Sequence, residues 1–263
     1  MCGRYSQYGE LSEIRIEFDV DRVDISRDFR PLYNIAPSYG PGFEQPIVVR
    51  NRSGERVLRL GRWWMIPSFW DKPLKTLPTA FNARAEELES KPFFRDAFRR
   101  RRCLVPATGW REFVPARQSK KQPYHFKLER EVFAFAGVWS TWTSPDGELV
   151  DSFAIVTTRP NATAAAIHDR MPLVMPPDLY SAWLEDDAQA ASVLERAQER
   201  AADLHLEMYP ADPRGNSVRF EGPEVIQKVD QVPQLAEPPS DAGRQEQLAL
   251  ELAPPSQAAP RRR

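Results

Sequence analysis

Val132-Phe133-Ala134-Phe135-Ala136-Gly137-Val138, followed after Ser144-Pro145-Asp146-Gly147 by Phe153-Ala154-Ile155-Val156-Thr157, decides the fold class of this chain. Both runs are short, apolar and separated by turn residues, the pattern of buried strands. Similar runs occur upstream at Ile47–Arg50, Val57–Leu60 and Tyr124–Leu128, with Asn51-Arg52-Ser53-Gly54 as a second turn. Helical patterning is expected at Leu11–Phe18, Lys91–Arg102, Ala162–Ile167 behind an Asn161 cap, Pro177–Leu184 and Asp187–Asp203. Strands and helices mixed without a regular βαβ rhythm predict an α+β fold.

The 263 residues hold 41% hydrophobic and 11% aromatic side chains, enough for one large core. A formal net charge of −1 excludes a global attraction to nucleic acid, so any basic footprint has to be local. Two cysteines make no disulfide framework, and no stretch has the length of a membrane span. A cytoplasmic protein is the expectation. Twenty-five prolines favour shaped loops over long helices. Order is expected over 1–229, and 230–263 reads as a disordered Pro-, Ala- and Gln-rich tail.

The chain opens Met1-Cys2-Gly3-Arg4. Removal of Met1 ahead of so small a residue would leave a terminal cysteine, with its α-amine beside its thiol. Such an aminothiol condenses with an aldehyde to a Schiff base and closes to a thiazolidine. Reference pKa values of about 7.7–8.0 for the amine and about 8.5 for the thiol suit neutral pH. Three segments offer the proton handling and cations this chemistry needs. Phe81-Asn82-Ala83-Arg84-Ala85-Glu86 puts an amide and a guanidinium on one side of a strand. Gly109-Trp110-Arg111-Glu112-Phe113 sets a carboxylate among aromatics, which would raise its pKa unless it pairs with Arg111. Ile167-His168-Asp169-Arg170-Met171-Pro172 supplies one of three histidines.

Together these islands resemble the SRAP family, the SOS response-associated peptidases or abasic-site-processing proteins. The resemblance also takes in Tyr33-Asn34-Ile35-Ala36-Pro37-Ser38, Ile66-Pro67-Ser68-Phe69-Trp70, Ile155-Val156-Thr157-Thr158 and Gly222-Pro223-Glu224-Val225-Ile226, in the family's order. It implies a single domain over 1–229 with a mixed, mainly antiparallel, barrel-like sheet and flanking helices. It further implies a bacterial, nucleoid-associated, monomeric protein that binds single-stranded DNA and traps abasic sites, without metal or cofactor. Carried over residue by residue, Cys2 would form the crosslink, Asn82 would position the amine or opened sugar, Glu112 would transfer protons, and His168 would assist Schiff-base formation. Arg4, Arg84 and Arg170 would hold flanking phosphates, and Phe69 with Trp70 would stack on a base. Asn34, Pro37 and Ser38 would lie near the DNA path, with Thr157 as a supporting contact. The chain departs from the family's pattern at Phe113, at Trp64 and over Lys72–Thr79, which is longer than usual.

Two other readings stand beside this one. One is a self-processing cysteine peptidase with Cys2 as nucleophile and His168 as base. The other is a noncatalytic adaptor that binds single-stranded DNA. In the tail, Gln247, Leu248, Leu250 and Leu252, within 245–252, resemble peptides that dock on the bacterial sliding clamp.

Overall fold

The computed structural model describes residues 2–25, 29–114, 122–185 and 189–230. The expected tail and its clamp-like motif lie outside the described residues. The strands in chain order are β1 (Tyr5–Gln7), β2 (Arg22–Asp24), β3 (Leu32–Ile35), β4 (Glu44–Arg50), β5 (Arg56–Trp63), β6 (Asn82–Arg84) and β7 (Arg102–Ala107). They continue as β8 (Gly109–Val114), β9 (Gln122–Lys127), β10 (Phe133–Thr143), β11 (Leu149–Thr158), β12 (Met171–Pro172), β13 (Val174–Met175) and β14 (Glu207–Pro210). The helices are α1 (Leu11–Glu17), α2 (Pro92–Arg100), α3 (Ala162–Ala165), α4 (Tyr180–Leu184) and α5 (Ala190–Ala202). The fold is α+β.

Five strands close on themselves in the order β11-β10-β7-β4-β5, with β5 returning to β11 in parallel. The other neighbours in that ring are antiparallel. β11 is shared end to end on its parallel side. Ser152 and Phe153 face Arg62 and Trp63 of β5, and Ile155–Thr157 face Asn82–Arg84 of β6. Residues 64–81 therefore leave β11 and come back to it. Their neck is held by Met65 N donating to Ala80 O (3.1 Å) and Trp63 Nε1 donating to Phe81 O (2.8 Å). A second sheet, ordered β14-β9-β8-β1-β3, packs beside the barrel.

The decisive strand β10 explains how the layers meet. Phe133 and Phe135 share one face and Ala134 and Ala136 the other, because strand side chains alternate. The phenylalanines lie edge-on to Trp110 of β8, and Phe135 also to Tyr5 of β1. Trp110 in turn stacks on Phe126 with ring centroids 5.1 Å apart. Tyr5, Trp110, Phe126, Phe133 and Phe135 are each 0% exposed. This aromatic cluster pins β1, and with it the start of the chain, into the core. Gly137 lies where a Cβ would come within 2.7 Å of Cys103 Sγ and 2.9 Å of Val105 Cγ2. Overpacking at such a site costs about 1–3 kcal/mol, the loss expected for Gly137→Ala in urea unfolding.

The helical expectations need trimming. The expected Lys91–Arg102 helix spans Pro92–Arg100, and Arg102 instead opens β7, 3% exposed. Its guanidinium turns back to Phe98 O (2.8 Å) and Arg99 O (2.9 Å), capping the last turn of α2. Pro177–Leu184 splits into a 3-10 turn, Pro177–Leu179, and α4. Asn161 caps α3 as expected, accepting from Ala164 N at 3.0 Å. No helix among the described residues is long and apolar enough to cross a membrane.

Candidate active site

β1 runs antiparallel to β8, with Tyr5 opposite Trp110 and Arg111 N donating to Arg4 O at 3.0 Å. Residues just before β1 therefore lie alongside Arg111 and Glu112. Glu112 shares the inward face of Trp110, and Arg111 takes the other face. Arg111 consequently does not pair with Glu112. Its guanidinium is 1% exposed and donates to Asn34 Oδ1. Asn34 Nδ2 donates to Ser217 O (2.8 Å) and Phe220 O (2.7 Å). Glu221 accepts from Tyr33 N and Asn34 N. Asn34 is thus 4% exposed and brackets the C-terminal loop. Burial, then neighbouring Arg4, lowers Arg111 to about 10, against the pull of Glu221. Pro37 and Ser38, further along the same loop, line a cavity of about 720 Å³ with Ile35, Phe43 and Gln45.

Cys2 is fully buried, its Sγ 3.7 Å from Arg4 O. Asn82, the first residue of β6, donates from Nδ2 to Cys2 O at 2.7 Å. Burial pushes the Cys2 thiol far above its ordinary range, and the Glu112 carboxylate adds to the effect. Glu112 is 3% exposed. Burial first and Asp169 also raise its carboxyl from 4.5 to about 7. The aromatic setting predicted that direction.

His168 follows α3 and precedes β12, beside the end of β11 where Asn82 also lies. Arg170 N donates to His168 Nδ1 at 3.0 Å, so the neutral ring carries its proton on Nε2. Asp169 Oδ1 is 2.9 Å from the same Nδ1, an attraction only once the ring is protonated. Burial holds the His168 pKa below its ordinary value, with Asp169 pulling the other way.

The remaining residues divide by exposure. Arg84 is half exposed beside Glu87, and Phe69 is 58% exposed at the tip of the 64–81 excursion. Trp70 turns inward onto the small cluster of Ile66, Trp142 and Val150, as do Leu74 and Leu77. The expected aromatic pair thus presents one outward ring, Phe69. Arg4 is half-buried with Nη1 on Gly3 O (2.8 Å), and Arg170 is committed to Glu86 and Thr157.

The model of the family described as SOS response associated peptidase (SRAP) matches residues 1–218. This chain belongs to the SRAP family. Similar relatives are the abasic site processing protein YoqW of Bacillus subtilis (strain 168), 32% identical over 86% of this chain and 99% of YoqW, and YedK of Escherichia coli (strain K12), named likewise, 27% identical over 87% of this chain and all of YedK. A crystal structure of a Bacteroides thetaiotaomicron protein shares the fold, with a TM-score of 0.71 at 21% identity, covering 87% of this chain and 100% of that one.

Among the described residues, several buried polar atoms of the expected site residues have no hydrogen-bond partner: Asn82 Oδ1, Glu112 Oε1, Thr157 Oγ1, Arg4 Nε and Arg170 Nε. Buried polar groups are ordinarily satisfied, so this cluster is spare capacity for a polar ligand. Sequence reading assigned no role to Arg111, Glu221, Glu86 or Asp169. Glu86 and Asp169 stand inside quoted motifs, so proximity was a signal. Arg111 and Glu221 act across 77 and 187 residues through Asn34, with no local signature.

Proposed function

We propose that this chain binds single-stranded DNA and processes abasic sites in a DNA-damage response. In this reading the opened sugar aldehyde is captured on Cys2 after Met1 is removed. The observation that carries it is the hydrogen bond from Asn82 to the Cys2 carbonyl. It holds Cys2 by its backbone carbonyl, beside a buried carboxyl poised near neutrality, and engages neither the thiol nor the amine.

The steps follow from the groups present. Neutral His168 takes the C1′ hydroxyl proton, and the imidazolium returns it to O4′ as the C1′–O4′ bond breaks, which opens the sugar to its aldehyde. The Cys2 amine adds to the aldehyde carbon. Glu112 gives its proton to the carbinolamine hydroxyl, which leaves as water and forms the protonated imine. The Cys2 sulfur then bonds to the imine carbon, whose π electrons move to nitrogen, and the thiol proton returns to the Glu112 carboxylate. The product is a thiazolidine, with one water lost overall. No oxidant or metal is needed.

DNA binding draws on a local footprint. Arg84 and Arg4 flank the chain start with positive charge, and Phe69 offers an exposed face worth about 1–3 kcal/mol per stacked base. Such stacking is indifferent to base identity, which suits a lesion without one.

The test is a denaturing gel with a uracil-containing oligonucleotide treated with uracil-DNA glycosylase. Protein verified by mass spectrometry to lack Met1 forms a heat-stable adduct. Absence of that adduct overturns the reading.

A further inference from the structure

Glu86 takes no part in the steps above, yet it makes a two-pronged ion pair beside them. Its Oε1 is 2.8 Å from Arg170 Nη1 and its Oε2 is 2.9 Å from Arg170 Nη2. Nη2 also donates to Thr157 O on β11 at 2.6 Å. The Arg170 side chain is 11% exposed and that of Glu86 40%, so the guanidinium is packed against the protein while the carboxylate meets solvent. Glu86 lies on the 3-10 turn Ala85–Glu87 that directly follows β6, the strand whose Asn82 holds the Cys2 carbonyl. Arg170 lies two residues after His168, and its amide donates to the His168 ring. The ion pair therefore ties the segment that places the nucleophile to the segment that carries the histidine.

We propose that Glu86 is a positioning residue. It clamps Arg170 against β11 and thereby sets the ring of His168 relative to Cys2. The same geometry assigns Arg170 chiefly to this clamp, since both ends of its fork are occupied and its charge is balanced by Glu86. A DNA phosphate reaching either Nη of Arg170 has to compete with a carboxylate already in place. Removing the Glu86 charge therefore impairs the reaction without impairing DNA affinity, a separation that neither a phosphate contact nor general loosening of the fold produces.

This proposal rests on the abasic-site reading, and its test separates the two. Crosslinking rates of wild type and Glu86→Gln are measured against the concentration of abasic single-stranded DNA. Noncovalent affinity is measured by anisotropy in the Cys2→Ala background, on single-stranded DNA whose abasic site is a tetrahydrofuran analogue without an aldehyde. The maximal rate of Glu86→Gln falls about tenfold or more, while the half-saturating concentration and noncovalent affinity hold within about twofold or tighten. Arg170→Lys, which keeps the charge but loses the fork, shows the same split, and carries the test should Glu86→Gln not fold. A maximal rate close to wild type, or a loss found wholly in affinity, overturns the clamp. If wild type itself forms no adduct, the function fails first.

Discussion

Cys2→Ala is expected to form no heat-stable adduct with abasic single-stranded DNA, yet to be captured by it when sodium borohydride is present. The two nucleophiles at the chain start do different work. In the proposed reaction the amine makes the imine, and the sulfur converts that reversible bond into a ring. Alanine keeps the α-amine once Met1 is gone, so the imine still forms and hydride reduces it to a stable secondary amine. The position of that amine survives as well. Asn82 holds residue 2 by its carbonyl, and β1 is anchored by Tyr5 in the aromatic cluster, neither of which involves sulfur. Adduct stable to heat without borohydride in Cys2→Ala protein would place the nucleophile elsewhere.

Glu112→Gln has the second large effect. General acid–base catalysis contributes about 10²–10⁴-fold, so adduct formation slows by about 10²-fold or more. The pH dependence gives the sharper signature. Protonated Glu112 is the form that expels water from the carbinolamine, and its carboxyl is raised to about 7. The wild-type rate therefore falls as pH rises through about 7, and the glutamine variant loses that limb. Wild-type stability falls over the same range. The folded state holds the Glu112 proton more tightly than the unfolded chain, so wild type loses stability as pH rises from 4.5 through about 7. Above that range glutamine removes a penalty of up to about 3 kcal/mol, and the variant melts higher. A slower variant that also melted lower at alkaline pH would contradict this account.

The sequence made the barrel legible where strands carry their own pattern. Val132–Val138 and Phe153–Thr157 became β10 and β11 because they are long, apolar and bounded by turns. The strands that build the site had no such pattern. β1, β3 and β6 are three or four residues long, and β6 is Asn-Ala-Arg. Their extended form comes from pairing with β8, β1 and β11, a tertiary effect that outweighs local propensity. The candidate residues were legible as motif islands, but their exposure was not. Phe69 and Trp70 are neighbours of one chemical class, and only the satellite cluster of Ile66, Trp142 and Val150 decides which turns inward. Arg170 read as a free cation because Glu86 is 84 residues away.

The return of residues 64–81 to the strand they left has an evolutionary consequence. Trp63 and Asn82 are registered against β11 independently, at Phe153 and Ile155, and the neck between Met65 and Ala80 seals the excursion. Insertions within it lengthen a side branch and leave Asn82 where it is. Phe69 rides on that branch, and so does the extended Lys72–Thr79 segment. In the proposed function, the branch that would meet the strand can thus be remodelled, or carry a fluorophore, while Asn82 and its partners keep their register.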